Sequence, residues 1–129
     1  MTDFPKISAD ALRFLERDGF AKGTLGAPYG TPMDRRSPTA HCVGGLLNMA
    51  LSDGEATFWQ ENATANAVYG KTASIMRSHY EEYLRDAEIL VPGEHEDSAS
   101  IIAIINNDER FTEDDARRVF AELALASDE

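Results

Sequence analysis

The sequence predicts an all-α fold: one domain over residues 1–129, a small bundle of five to six helices with a long Gly/Pro-rich loop after helix one. Three observations carry that reading. Apolar residues recur at helical spacing along several stretches, capping residues bracket those stretches, and no two strong strand-like runs exist to pair with each other. The 129 residues are 43% apolar and 27% charged, the composition of a globular domain with a core rather than of a disordered chain.

Helix one is read from Ser8 as N-cap, with Ala11, Leu12, Phe14 and Leu15 as its apolar stripe and Gly19 ending it near Asp18. Residues 19–37 then carry Gly19, Gly23, Gly26 and Gly30 together with Pro28 and Pro32, which no helix or ordinary strand accommodates, so they form the long loop. Ser37-Pro38 restarts the chain as N-cap and first helical residue. Helix two runs from there to about Ser52, with Cys42, Val43, Leu46, Leu47, Ala50 and Leu51 on its core face. Gly44 and Gly45 cost that helix about 1 kcal/mol each relative to alanine, and point to a close approach by another element or to a bend.

Asp53-Gly54 breaks the chain, and a helix containing Phe58, Trp59, Ala63 and Ala67 follows until Gly70 interrupts it. From Lys71 to Glu88 the set Met76, Tyr80, Tyr83, Leu84 and Ala87 has helical spacing, and Glu81 and Arg85 form an i, i+4 pair in the favourable order. Pro92-Gly93 ends that helix, and Glu94-His95-Glu96-Asp97 connects to the next segment. Residues 99–106, with four isoleucines, read equally as buried strand or buried helix by periodicity; a cap at Asp97 or Ser98 favours helix. The last helix is the clearest. Thr112 caps it, Asp115 occupies the capping-box position, and Ala116, Val119, Phe120, Leu123 and Ala124 form its buried face.

Charge is placed unevenly. Residues 1–80 hold eight acidic and eight basic side chains, whereas residues 81–129 hold fifteen acidic and four basic, which accounts for the whole net charge of −11. Such a surface repels nucleic-acid phosphates and attracts a basic partner, so direct nucleic-acid binding is not expected, although Arg35-Arg36 makes a local basic patch in the balanced half. The short apolar runs predict no membrane span, the N-terminal residues lack the parts of a signal peptide, and the single Cys42 excludes an internal disulfide framework. A cytoplasmic location is the resulting expectation.

Several motifs invite a catalytic reading and fail on chemistry. Residues 65–72 match a loose phosphate-loop pattern ending in Gly70-Lys71-Thr72, but such a loop must leave a buried strand and wrap its amides around phosphate, and the preceding residues read as helix. His41, His79 and His95 share no metal-ligand spacing, and the acidic residues between 108 and 115 lack the alternation of a calcium loop. Cys42 lies on an apolar stripe, where a thiol is usually inert, and His41 beside it on a helix would point about 100° away. Asn106-Asn107-Asp108 reads as a tight helix–helix junction whose side chains satisfy free backbone groups at the two helix ends. Trp59, Tyr69, Tyr80 and Tyr83 read as core and rim. Neither a cofactor nor a metal is expected.

Four short stretches carry a family resemblance: Lys22-Gly-Thr-Leu25, His41-Cys-Val-Gly-Gly-Leu46, Ile104-Ile-Asn-Asn-Asp108 and Thr112-Glu-Asp-Asp115. In this order they resemble an uncharacterised family of small actinobacterial and phage proteins, whose pattern is a Gly-rich segment, a Cys-x-x-Gly-Ala-Leu helix and a Trp-Asn-Asp junction before a Thr-capped helix. Gly45 stands where that family has alanine and Asn106 where it has tryptophan, and residues 52–97 have no counterpart. The resemblance implies a phage or mobile-element origin and brings no activity with it.

The functional expectation is a non-enzymatic interaction or inhibitor protein that presents an acidic C-terminal face to a basic partner. The candidate contact residues are Glu94, Glu96, Asp97, Asp108, Glu109, Asp114 and Asp115. The alternative is a small-molecule or nucleotide-binding protein, or an enzyme, built from the 19–37 loop and the 106–108 junction.

Overall fold

The computed structural model describes residues 2–21, 40–55, 59–90 (backbone alone from 88) and 97–127. These residues form five helices: α1 (Phe4–Asp18), α2 (Val43–Leu51), α3 (Ala63–Leu90), α4 (Ser98–Asn107) and α5 (Glu113–Leu123). Among the described residues the only β pairing is a single parallel bridge between Phe20 and His41, and no helix is long and apolar enough to cross a membrane. The chain is therefore the all-α domain that the periodicity predicts. The long loop falls largely on residues 22–39, outside the described residues.

α1 begins four residues before the expected cap. Asp3 is the N-cap, its Oδ1 accepting from the Lys6 amide at 3.0 Å, and Pro5 sits in the first turn, where a missing N–H costs nothing. Ser8 is buried in the body of the helix instead. Gly19 ends α1 as expected, at φ +92°, with its N–H bonded to the Leu15 carbonyl at 2.8 Å.

α2 corrects the sequence reading at its start. Ala40 to Cys42 are not helical, with His41 in a β-bridge and Cys42 extended, and the helix opens at Val43 with Cys42 as N-cap, its sulfur accepting from the Gly45 amide at 3.3 Å. Cys42 is thus a capping residue, not part of a helical stripe. Every residue from Val43 to Ala50 is buried, so α2 is a central strut without a solvent face. It packs most extensively on α1 and also meets α3 and α4.

α3 runs through Gly70 without interruption, so the two helices expected there are one. Its break lies at Tyr80, where φ −127° and ψ 31° leave the helical region and redirect the second half. Residues 98–107 are helix, capped by Asp97, whose Oδ1 accepts from the Ser100 amide at 2.8 Å. α3 and α4 make the most extensive helix pair, and α5 covers α1 and α3. At α5 both halves of the expected capping box between Thr112 and Asp115 are formed. Phe4, Leu15, Leu46, Leu47, Met76, Ile102, Ile105, Phe111 and Phe120 fill the core between these layers, each contributing about 1.5–3 kcal/mol by its removal from water.

Candidate functional site

Two groups of polar side chains stand out once the helices are packed. The first closes the base of the loop. The Gly19 carbonyl accepts from the His41 amide at 3.0 Å and the His41 carbonyl from the Ala21 amide at 2.9 Å, so the two ends of the excursion are zipped together. His41 is 3% exposed and its Nε2 lies 2.7 Å from Asp18 Oδ2. Arg17 grips the same carboxylate through both oxygens, at 2.7 and 2.6 Å. That fork, with the His41 contact behind it, holds the Asp18 carboxyl below the usual carboxylate range against the opposing effect of burial. His41 Nδ1 is buried without a hydrogen-bond partner among the described residues.

Asn106 locks this neck from the other side of the fold. It is 1% exposed, its Oδ1 accepts from the Val43 amide at 2.9 Å, and its Nδ2 donates to the Ala21 carbonyl at 3.3 Å. One amide therefore caps the buried start of α2 and pins the entrance of the loop. The expected role of the 106–108 junction, saturating its own two helix ends, is in part displaced: Asn106 serves a different helix, and Asp108 accepts from the Arg110 amide at 2.9 Å. Cys42 sits at the same neck, and burial pushes its thiol above its ordinary pKa, outweighing the backbone amides that act to lower it. Such a thiol stays protonated and unreactive.

The second group is the acidic face. Arg110 stands at its centre, with Nη2 2.7 Å from Asp108 and 3.0 Å from Asp86, Nη1 3.4 Å from Glu82, and the guanidinium 4.2 Å over the Tyr83 ring. The kinked half of α3 and the α4–α5 turn thereby converge on one cation. Next to them Asp115 is half-buried. Burial raises its pKa, but donation from the Thr112 amide and hydroxyl and from the Tyr80 hydroxyl at 3.1 Å wins and leaves it lowered. The Tyr80 phenol is pushed up to about 12 in turn, first by burial and then by that carboxylate.

Of the seven contact residues expected from the sequence, Glu94 and Glu96 lie outside the described residues. Asp97 is the α4 cap. Asp108 and Glu109 occupy the α4–α5 turn, and Asp114 and Asp115 the first turn of α5. Asp108 and Asp115 are engaged within the fold, whereas Glu109 and Asp114 are exposed, with no ion pair or hydrogen bond among the described residues. Sequence reasoning missed the Asp18–His41 pair, the reach of Asn106 and the clustering around Arg110. These link residues 23 to 85 positions apart, and no local pattern encodes them. The phosphate-loop look-alike, residues 65–72, is continuous helix within α3.

The fold and these polar groups define a small all-α domain with a clamped loop neck and an acidic face. No protein-family model, no curated protein and no solved structure matches the chain.

Proposed function

We propose that the chain is a non-enzymatic protein–protein interaction domain that engages a basic partner surface through its acidic C-terminal face. One observation carries the reading: all four arginines of residues 81–129 are already held by carboxylates within the fold, and acidic groups remain in excess around them. Arg85 pairs with Glu81, Arg110 with Glu82, Asp86 and Asp108, Arg117 with Glu113 and Glu16, and Arg118 with Asp115. The internal pairs fix the geometry of the face, and the exposed Glu109 and Asp114 supply its outward negative potential. A phage-type inhibitor with a cytoplasmic partner is one particular form of this reading.

The test is affinity capture from a lysate of the source organism, with the wild-type chain and with Glu109→Lys/Asp114→Lys, at low and high salt. The reading expects a basic protein that is lost both in the variant and at high salt. A partner retained equally in all four conditions would overturn it.

A second reading keeps the loop and the 106–108 junction as a small-ligand site, and the direct bond from Asn106 to Ala21 at the loop's entrance favours it. A thermal-shift screen with nucleotides and divalent metals separates the two, since only the second reading expects stabilisation that Asn106→Ala abolishes.

A further inference from the structure

A cleft of about 320 Å³ opens between the chain segment that enters α3 and the N-terminal end of α4. That volume lies at the lower end of the range for small-ligand sites. Its aromatic wall is the pair Trp59 and Tyr69, packed edge to face with ring centroids 4.6 Å apart. Tyr69 is fixed from behind: its hydroxyl donates to the buried Asn48 Oδ1 at 2.5 Å and accepts from the Gln60 amide at 2.8 Å. Trp59 is only half-buried and lines the opening. The polar wall is Glu61, Asn66, Asp97 and Ser98. Two of these are carboxylates, and among the described residues no lysine, arginine or histidine lines the cleft.

The geometry points to this cleft as the binding site for an organic cation, a guanidinium or ammonium group that stacks on Trp59 and is balanced by Glu61 and Asp97. An aromatic ring and two carboxylates lining one cleft favour such a group over a neutral or anionic one. The starts of α3 and α4 contribute about half a positive charge each, less than the two full negative charges at the rim, and Asn62 and Asp97 already accept from their amides at 2.8 Å. Asp97 caps α4 and still has acceptor capacity to spare, because a carboxylate offers about four lone-pair sites. The inference rests on the reading of a basic partner and gives it a specific anchor: one arginine or lysine side chain of that partner seated in the cleft.

Trp59 is the sole tryptophan of the chain, so its fluorescence reports this cleft alone. The experiment titrates the full chain with the N-acetylated tripeptide amide Gly-Arg-Gly, with agmatine and with the N-acetylated tripeptide amide Gly-Glu-Gly, which has no ammonium group, at matched ionic strength. Saturable change is expected with the first two and none with the third. Tighter binding of the tripeptide identifies a side chain presented by a polypeptide as the source, and tighter binding of agmatine a free small cation. Glu61→Gln/Asp97→Asn should weaken binding about tenfold, the combined effect of losing two solvent-exposed charge contacts of about threefold each. Asparagine is an equally good N-cap, so this variant keeps the helix; an unchanged melting temperature confirms it. Absence of any saturable response, an equal response to Gly-Glu-Gly, or undiminished affinity in the folded double variant would overturn the inference. Salt-sensitive capture that persists while the tripeptide fails to bind removes the cleft and leaves the acidic face standing; the converse removes the acidic face alone.

Discussion

Asn106 joins three parts of the chain with one side chain: α4, where it resides, the first amide of α2, and the carbonyl that leads into the loop. Truncation to alanine strands the buried Val43 N–H and frees the carbonyl of the half-buried Ala21. Stranding the Val43 amide and loosening the Ala21 carbonyl gives an expected loss of about 2 kcal/mol in Asn106→Ala, measurable as a lower urea midpoint with an unchanged slope. Asn106→Asp should not rescue it, because a buried carboxylate oxygen would then face the Ala21 carbonyl. An alanine variant as stable as the parent would show that this amide is not what holds α2 and the loop together.

At the scale of elements, two glycines offer opposed substitutions, one inside α3 and one in the turn that follows α2. Gly70 lies inside the continuous helix, and a Cβ there meets only Ser98 Oγ at 3.9 Å, an ordinary contact. Gly70→Ala should therefore stabilise the protein by up to about 1 kcal/mol. Gly54 has φ +86°, and a Cβ would approach the Phe14 ring at 3.2 Å, so Gly54→Ala should destabilise it by about 1 kcal/mol or more. Thermal unfolding of both variants checks the pair of signs. The same residues explain what the sequence made legible. Capping chemistry is local, so Gly19, Thr112 with Asp115, and Asp97 were readable as helix ends. Gly70 was misread as a break because single-residue propensity is weak beside the packing of α3 on α4. Cys42 was misread as a helical core residue because apolar spacing does not reveal that the chain is still extended at the bridge to Phe20. The candidate site was legible as charge, through residues 108–115, but not as geometry: Arg110 meets Glu82 and Asp86 only after α3 bends at Tyr80.

For the whole molecule, two electrostatic effects of opposite sign set the pH dependence of stability. The net charge of −11 at neutral pH repels itself in the compact state. Protonation relieves that repulsion as pH falls toward the isoelectric point near 4.6. Against this stand the carboxylates whose pKa the fold lowers: Asp10 through its bond from Lys6, Asp18 through Arg17 and then His41, and Asp115 through Thr112 and Tyr80 against the pull of burial. A carboxylate with a depressed folded pKa contributes stability that is fully present above its unfolded pKa, about 3.9, and is lost as pH falls from there through the lower folded value. Stability should accordingly rise on moderate acidification from pH 8, pass a maximum near pH 5, and fall below about pH 4. Added salt should stabilise the chain at pH 8, where repulsion dominates, and much less near the isoelectric point. Urea midpoints between pH 3 and 8, at two salt concentrations, test both statements. Asp18→Asn should flatten the acid limb while leaving the salt effect at pH 8 nearly intact, because it removes a depressed carboxylate but only one of the excess negative charges. Stability that keeps rising down to pH 3 would mean that these carboxylate contacts contribute little, and that repulsion alone governs the fold's response to acid.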